Sequence, residues 1–219
     1  MVEQSGDFRL NKLMEVLYAI INFQEEKMNY RRAELKDIPG IIMLEKKYHK
    51  NSISEEDKPD GFIGTFFSEN KLKRLIEEEK SLAVACDGDK VIGFAGAVSW
   101  QFLKIWPVFY PMIDDLPNIK YKDRVLSIDN SYQYGPACID KDYRGTEVLP
   151  NLFECSRLLM KDRYPILVTY VDQNNQRSFQ AHSRKLGLDV VKQFEFHSNK
   201  LFVLCCDTSR KTPGSKGIQ

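Results

Sequence analysis

Two stretches in the second half of the chain each combine a short apolar run with a longer amphipathic run, the pattern of a strand followed by a helix. The first begins with apolar residues at 136–139 and, after a polar turn, carries apolar residues at helical spacing from Val148 to Met160. The second begins with a β-branched run at 166–171 and, after a polar turn, continues as a helix to Lys185. The pattern predicts two consecutive strand–turn–helix units.

The same periodicities predict the other elements. Helices are predicted at 8–24, 38–50 and 71–80, and strands at 29–34, 81–86, 90–100, 190–196 and 200–206. Residues 101–124 contain three prolines and several aromatic residues, which predicts a packed but irregular insertion. This insertion either covers the sheet or forms a lid or wall of a binding pocket.

These elements divide the chain into three parts. Residues 1–27 are predicted to form an amphipathic helical extension, residues 28–206 one α/β domain, and residues 207–219 a disordered tail with Lys, Pro, Gly and Ser. The polar face of the extension carries both signs of charge, which favours packing against this domain or a second copy over binding to a membrane surface. A homodimer is therefore one of the arrangements that the sequence allows.

Composition and charge narrow the class of protein. Of 219 residues, 42% are apolar and 29% charged, and 32 basic residues nearly balance 31 acidic ones, so the bulk charge favours neither nucleic acid nor an anionic membrane as a partner. Five cysteines without a Cys-x-x-Cys spacing indicate neither a disulfide framework nor a zinc site. No apolar run reaches the ~18 residues of a bilayer span, and no signal-peptide pattern is present. We predict a cytoplasmic protein without a metal.

The first strand–turn–helix unit is suited to an anion, because a helix start presents free N–H groups and a positive dipole end. Its Tyr143-Arg144-Gly145, followed by Asn175-x-Arg-Ser178 and then Leu186-Gly187-Leu188, resembles motifs A and B of the GNAT superfamily of acyl-CoA-dependent N-acetyltransferases. The resemblance covers residues 29–206. It implies an α/β (α+β) GNAT fold, with a mixed, mostly antiparallel sheet of six or seven strands that is splayed between the fourth and fifth strands and has helices on both faces.

The resemblance also implies a cosubstrate, acetyl-CoA, and direct acetyl transfer to an amine of a small molecule or a protein. The turn would hold the CoA pyrophosphate through backbone N–H groups, with Arg144 adding charge, while the preceding strand would bind the pantetheine arm. A backbone N–H near Ile139 would face the thioester oxygen. The cofactor-binding residues implied in this way are Cys138, Ile139, Asp140, Arg144, Gly145, Thr146, Glu147, Val148, Leu149, Asn175 and Ser178.

The family often has a tyrosine on the helix after the Asn-x-x-Ser motif, as proton donor to the leaving thiolate. Counting forward from Asn175 puts His182 at that place, whereas counting back from Gly187 puts Ser183 there, because this segment is one residue longer than usual. We predict that His182 is the acid, since imidazole titrates near pH ~6.5; a helix histidine without a catalytic role is the alternative. The sequence singles out no base, and the candidates are Asp140, Asp129, Glu69 or a bound water.

Two residues depart from the family pattern. Glu147 stands where glycine is usual, and Leu149 stands where glycine or alanine is usual. A carboxylate repels a pyrophosphate and a Cβ obstructs its approach, so Glu147→Gly is predicted to tighten acetyl-CoA binding by roughly 1 kcal/mol. The departures motivate a second hypothesis, a non-catalytic GNAT-like module that binds CoA or a partner without turnover. A third is an acyltransferase that uses another acyl group.

Overall fold

A seven-stranded sheet organises the protein in the computed structural model, which describes residues 12–15, 28–196 and 199–216. Its strands are β1 Met28–Arg32, β2 Leu82–Asp87, β3 Lys90–Ser99, β4 Ser131–Ile139, β5 Ile166–Asp172, β6 Asp189–Phe196 and β7 Asn199–Asp207. The order across the sheet is β1-β2-β3-β4-β5-β7-β6, and β4 with β5 is the parallel pair among antiparallel neighbours. The predicted mixed, mostly antiparallel sheet is confirmed.

The sheet opens between β4 and β5. These strands pair over three positions, Ser131–Gln133 with Ile166–Val168, and then diverge, since the rest of β4 pairs with β3 and the rest of β5 with β7. The cause lies in β4, where the register against β3 shifts between Ala95 and Ala97 and where Pro136 has no N–H for a ladder. The predicted splay between the fourth and fifth strands is therefore present.

Helices cover both faces of the sheet. They are α1 Ile38–Tyr48, α2 Glu69–Arg74, α3 Trp100–Leu103, α4 Tyr110–Asp115, α5 Val148–Met160 and α6 Gln176–Gln180, with π-helical turns at Leu75–Glu79 and Ala181–Lys185 that continue α2 and α6. Short 3₁₀ turns lie at Leu35–Asp37, Lys58–Asp60, Pro107–Phe109, Leu116–Asn118 and Lys141–Tyr143. Ile41 of α1 and Leu72 of α2 are buried on one face, and Leu152 and Phe153 of α5 on the other.

The insertion at 101–124 covers one face of the sheet. Phe109 and Leu116 are buried in the same cluster as α1, and a two-stranded ladder of Lys120–Tyr121 with Arg124–Val125 follows them. The hydroxyl of Tyr121 donates to Asp189 at 2.7 Å, which fixes the insertion to β6. The covering role is thus the one that these contacts support.

The chain after β7 lies along α5. Thr212 donates its backbone N–H to Glu154 Oε2 at 3.1 Å, and Arg157, which donates to Glu154 at 2.8 Å, also donates to the carbonyl of Thr208. Both threonines are buried, so this arrangement differs from the predicted disordered tail as far as residue 216. This segment is held in place because it covers the ion pair of Glu154 and Arg157 on the buried side of α5.

At the N-terminus, residues 12–15 are helical, and the remainder of the predicted 8–24 helix lies outside the described residues. No helix in the described ranges 12–15, 28–196 and 199–216 combines the length and the apolar content that crossing a bilayer requires.

Candidate functional site

A cavity of about 370 Å³ opens where β4 and β5 diverge. Its walls come from the loop between α1 and α2, the end of β4, the first turn of α5, and α6 with its π turn. Seven of the residues singled out from the sequence line it, namely Cys138, Ile139, Arg144, Gly145, Leu149, Ser178 and His182. The other five, which are Asp140, Thr146, Glu147, Val148 and Asn175, are not among its lining residues.

The turn between β4 and α5 presents backbone donors at the mouth of this cavity. In the described part of the chain, the N–H groups of Gly145, Thr146 and Glu147 have no hydrogen-bond acceptor, while Val148 N–H donates to Thr146 Oγ1 at 3.2 Å. Gly145 has φ +86°, a conformation that favours glycine, and a Cβ added there would meet nothing within 4 Å. Free donors, open space and the positive end of a 13-residue helix together suit an anion.

The charged residues that line the cavity are mostly basic, so their net charge has the same positive sign as the helix end at this turn. Its basic residues are Arg144, Arg177, Arg184 and Lys185, and Asp60 is its acidic residue. Arg144 donates Nε to the carbonyl of Ile139 at 2.8 Å and Nη1 to the carbonyl of Asp60 at 2.6 Å. These acceptors are neutral, so the guanidinium is held at the rim while its charge remains available to a ligand.

Tyr48 of α1 positions the same turn. Its ring lies under the guanidinium of Arg144, with 4.4 Å from Cζ to the ring centroid. Its hydroxyl donates to Asp140 Oδ1 at 3.0 Å and accepts from the N–H of Lys141 at 2.8 Å. Burial raises the pKa of Asp140, but hydrogen bonds from Tyr48 and Lys47 outweigh it and lower the pKa overall. Asp140 therefore anchors the turn to α1 as a weakly basic carboxylate.

The other two carboxylates considered as a base also lie elsewhere. Asp129 accepts from Gln101 at 3.2 Å, and Glu69 pairs with Lys73 at 2.8 Å on the surface of α2. Neither residue lines the cavity.

His182 lies in the cavity wall on the π turn after α6, with 8% of its surface exposed. Its Nδ1 is 2.7 Å from the carbonyl oxygen of Ser178, and its ring contacts Tyr134 with 5.7 Å between centroids. Since a carbonyl can only accept, Nδ1 carries the proton and Nε2 is the basic atom. Burial lowers the pKa of His182, against a smaller upward effect of the Ser178 hydrogen bond, so the neutral form dominates at pH 7. Because desolvation disfavours the imidazolium, His182 can donate a proton, as predicted, only after it has first accepted one.

The π turn explains why two counts from the sequence disagree. Leu186 N–H bonds to the carbonyl of Ala181, five residues back, so the turn accommodates one extra residue. The count from Asn175 therefore leads to His182 in the cavity. Ser183, reached by the count from Gly187, donates to the carbonyl of Phe179 at 2.7 Å and is not a lining residue.

Asn175 joins α6 to the loop between α1 and α2. Its Oδ1 accepts from Ser178 N–H at 3.2 Å and caps the helix, while its Nδ2 donates to the carbonyl of Phe62 at 2.7 Å. Tyr48, Asp60 and Phe62 belong to the cavity, and the sequence singled out none of them, because they precede the motifs by more than 70 positions. Contacts between residues so far apart in the sequence leave no periodic pattern of polar and apolar residues from which they could be predicted.

Glu147 and Leu149, the two residues that depart from the family pattern, differ in their relation to the cavity. The carboxylate of Glu147 pairs with Nζ of Lys216 at 3.1 Å and is not among the lining groups, whereas Leu149 is. Thr146 donates its hydroxyl to the carbonyl of Tyr143 at 2.7 Å, and Val148 is buried in the core. The charge that was expected to repel an anion is thus met by a lysine of the C-terminal segment.

Comparisons with known proteins found similarity to solved structures. No protein-family model matches the sequence, and no curated protein sequence matches it. A GNAT-family acetyltransferase from Streptococcus agalactiae 2603 is 14% identical with a TM-score of 0.56, over 82% of this chain and 95% of that one. The protein yncA from Salmonella typhimurium, solved with its cofactor acetyl-CoA, is 13% identical with a TM-score of 0.55, over 87% and 99%. The NatC complex bound to Gag peptide and CoA is 11% identical with a TM-score of 0.54, over 83% and 98%.

Proposed function

The chain has the fold of the GNAT acetyltransferases, and on this basis we propose that it is an acetyl-CoA-dependent N-acetyltransferase. One observation carries the proposal: a single cavity reaches from Gly145, in the turn with free N–H groups before α5, past the end of β4 to His182. A ligand with an anionic end and a reactive end fits that arrangement. The structures similar to this chain include two that hold acetyl-CoA or CoA.

The residues present fit the phosphate end of such a ligand. The N–H groups of Gly145, Thr146 and Glu147 would bind the pyrophosphate, and Arg144, held by Tyr48, would add charge at the rim. The open space above Gly145 admits a phosphate close to the backbone. Residues 137–139 line the cavity along β4 and would contact the arm that follows.

The reaction requires one proton to move. Acetyl-CoA supplies the thioester carbon; a C–N bond forms, the C–S bond breaks, and a proton of the amine ends on the sulfur. Nε2 of His182 is unprotonated at neutral pH, and the imidazole ring packs edge-on against Tyr134 in the cavity wall. We assign to it the transfer of this proton, first as base and then, once protonated, as acid.

The acceptor is an amine of a small molecule or of a protein. One similar structure, NatC, holds a peptide, which supports a peptide amine as one class to test. The non-catalytic alternative rested on the substitutions at Glu147 and Leu149. The ion pair with Lys216 weakens the motive from Glu147, whereas Leu149 does line the cavity.

Two measurements test the function. Calorimetry with acetyl-CoA should give saturable binding, and a panel of small amines and amino-terminal peptides should give thiol release above the amine-free rate. Absence of acetyl-CoA binding would overturn the proposal. Binding without turnover on any amine of the panel would favour the non-catalytic module.

The pairing of Glu147 changes what its substitution should do. In the native chain, Glu147→Gln should alter the Kd for acetyl-CoA by less than about twofold, because Lys216 already balances the carboxylate. In a Lys216→Ala chain, the same substitution should tighten binding by about threefold to fivefold, the effect of one charge near a helix start. Calorimetry on the four chains of this cycle measures the coupling. Equal effects of Glu147→Gln in both backgrounds would show that the ion pair does not shield the site.

A further inference from the structure

Three cations from both arms of the cleft lie around Asp60 at the cavity mouth, two of them paired with its carboxylate. Asp60, in the loop between α1 and α2, has Oδ2 2.6 Å from Lys141 Nζ and Oδ1 3.7 Å from Arg177 Nη1. Arg144 donates to the backbone carbonyl of the same residue at 2.6 Å. Lys141 and Arg144 follow β4, whereas Arg177 begins α6 after β5. Asp60 therefore lies between the two arms that would receive the phosphates.

The loop holds Asp60 at that place. Asn175 Nδ2 donates to the carbonyl of Phe62 at 2.7 Å, which fixes the loop to the cap of α6. Gly61 has φ +95°, a conformation that favours glycine and lets the loop turn beside α6. The hydrogen bond from Lys141 lowers the pKa of Asp60, so the carboxylate is ionised at pH 7. A negative charge thus stands permanently beside Arg144 and Arg177.

We propose that Asp60 is a specificity-determining counter-ion of this cavity, which lowers its affinity for phosphate-bearing ligands and leaves its affinity for phosphate-free thioesters unchanged. The carboxylate and an incoming phosphate would share two cations, Lys141 and Arg177, and the charge of the carboxylate also acts on nearby Arg144. Whether the phosphate displaces Asp60 or binds beside it, the negative charge opposes binding. This inference rests on the proposed function for the identity of the phosphate-bearing ligand, and a phosphate probe tests it independently.

The consequence is a gain of affinity on substitution, which loss of a merely structural residue would not produce. Asp60→Asn removes the charge and keeps the size of the side chain. We expect it to tighten binding of acetyl-CoA and of inorganic pyrophosphate by about fivefold at low ionic strength, with a smaller gain at 0.5 M NaCl because of screening. The Kd for S-acetylpantetheine, a thioester that carries no phosphate, should stay within about twofold of its native value.

Asp57 provides the matched control. It lies in the same loop and 3.8 Å from Lys141 Nζ, but it contributes to no ion pair with Arg177. Asp57→Asn should therefore change each of the three affinities by less than about twofold. Asp60→Glu, which keeps the charge, should likewise leave the Kd for acetyl-CoA near its native value.

Calorimetry with the three ligands separates the outcomes. Unchanged or weaker binding of pyrophosphate and acetyl-CoA by Asp60→Asn would overturn the inference, since Asp60 would then be ordering the cations rather than competing for them. Equal tightening of S-acetylpantetheine would overturn it as well. Tighter pyrophosphate binding in a protein that binds no acetyl-CoA would support the counter-ion role and overturn the proposed cofactor instead.

Discussion

Arg157→Met should lower the free energy of unfolding by about 3–5 kcal/mol, the usual cost of removing one partner of a buried ion pair. The side chains of Arg157 and Glu154 are 6% and 5% exposed, and their atoms meet at 2.6 Å. In the variant, the carboxylate of Glu154 would remain buried without its cation. Urea unfolding measures the loss, and a value below about 1 kcal/mol would show that the pair is replaced by solvent.

The same pair should make stability depend on acid. Burial raises the pKa of Glu154, but the hydrogen bonds from Arg157 and Thr212 outweigh it and hold the pKa at about 2 instead of 4.5. A carboxyl whose pKa is lower in the folded state than in the unfolded state stabilises the fold at any pH above the unfolded pKa. This contribution is lost as the pH falls from 4.5 towards 2. The control is the double variant Glu154→Met with Arg157→Met. It should recover part of the loss at pH 7 and show a smaller decline on acidification.

His182→Ala should lower kcat by about tenfold or more and leave the Kd for acetyl-CoA within about threefold, because a proton-transfer group acts mainly in the transition state. The cavity position and the bare Nε2 of His182 motivate this expectation. Ser183→Ala is the matched control and should retain full kcat, since its hydroxyl bonds to a helix carbonyl outside the cavity. Thiol release gives kcat and calorimetry gives Kd. Full activity of His182→Ala would exclude the assigned role.

The pH profile distinguishes a base from an acid at this position. The pKa of His182 is lowered by burial from 6.5, so the neutral imidazole is present at and above that pH. If Nε2 must first accept the proton, kcat should rise through the lowered pKa and remain level from about pH 7 to 9. A decline of kcat as the pH rises through the pKa of His182 would instead show that His182 must start protonated and act only as an acid.

The strand and helix periods of the sequence predict the two strand–turn–helix units well, since both units lie within 60 consecutive residues. The splay between their strands is expected from the family resemblance, which those units carry, and not from the periods themselves. The sequence leaves the candidate proton-transfer position ambiguous by one residue, because a π turn is invisible to a count of spacing. In the structure, the hydrogen bond from Leu186 N–H to the Ala181 carbonyl marks the π turn, and His182 lines the cavity whereas Ser183 does not.

Long-range contacts account for what the sequence does not predict. Tyr48 reaches Asp140 and Asp60 reaches Lys141 over more than 80 positions, and neither pair follows from local pattern. The segment after β7 has the composition of a tail, yet Glu154 and Arg157 on the buried side of α5 give it polar partners. Two adjacent charges on the packed face of a helix are the signal that could have indicated such a cover.

The order β5-β7-β6 has a consequence for synthesis of the chain. Among the strands that the structure describes, β7 is the last to leave the ribosome, but it lies between β5 and β6 and supplies the antiparallel partner of each. Residues 1–198 therefore emerge with an unpaired strand β6 and with one edge of β5 open, a state in which strand edges are prone to aggregation. Completion of the sheet must wait for Asn199–Asp207, so nascent chains halted before β7 should require a chaperone until translation resumes.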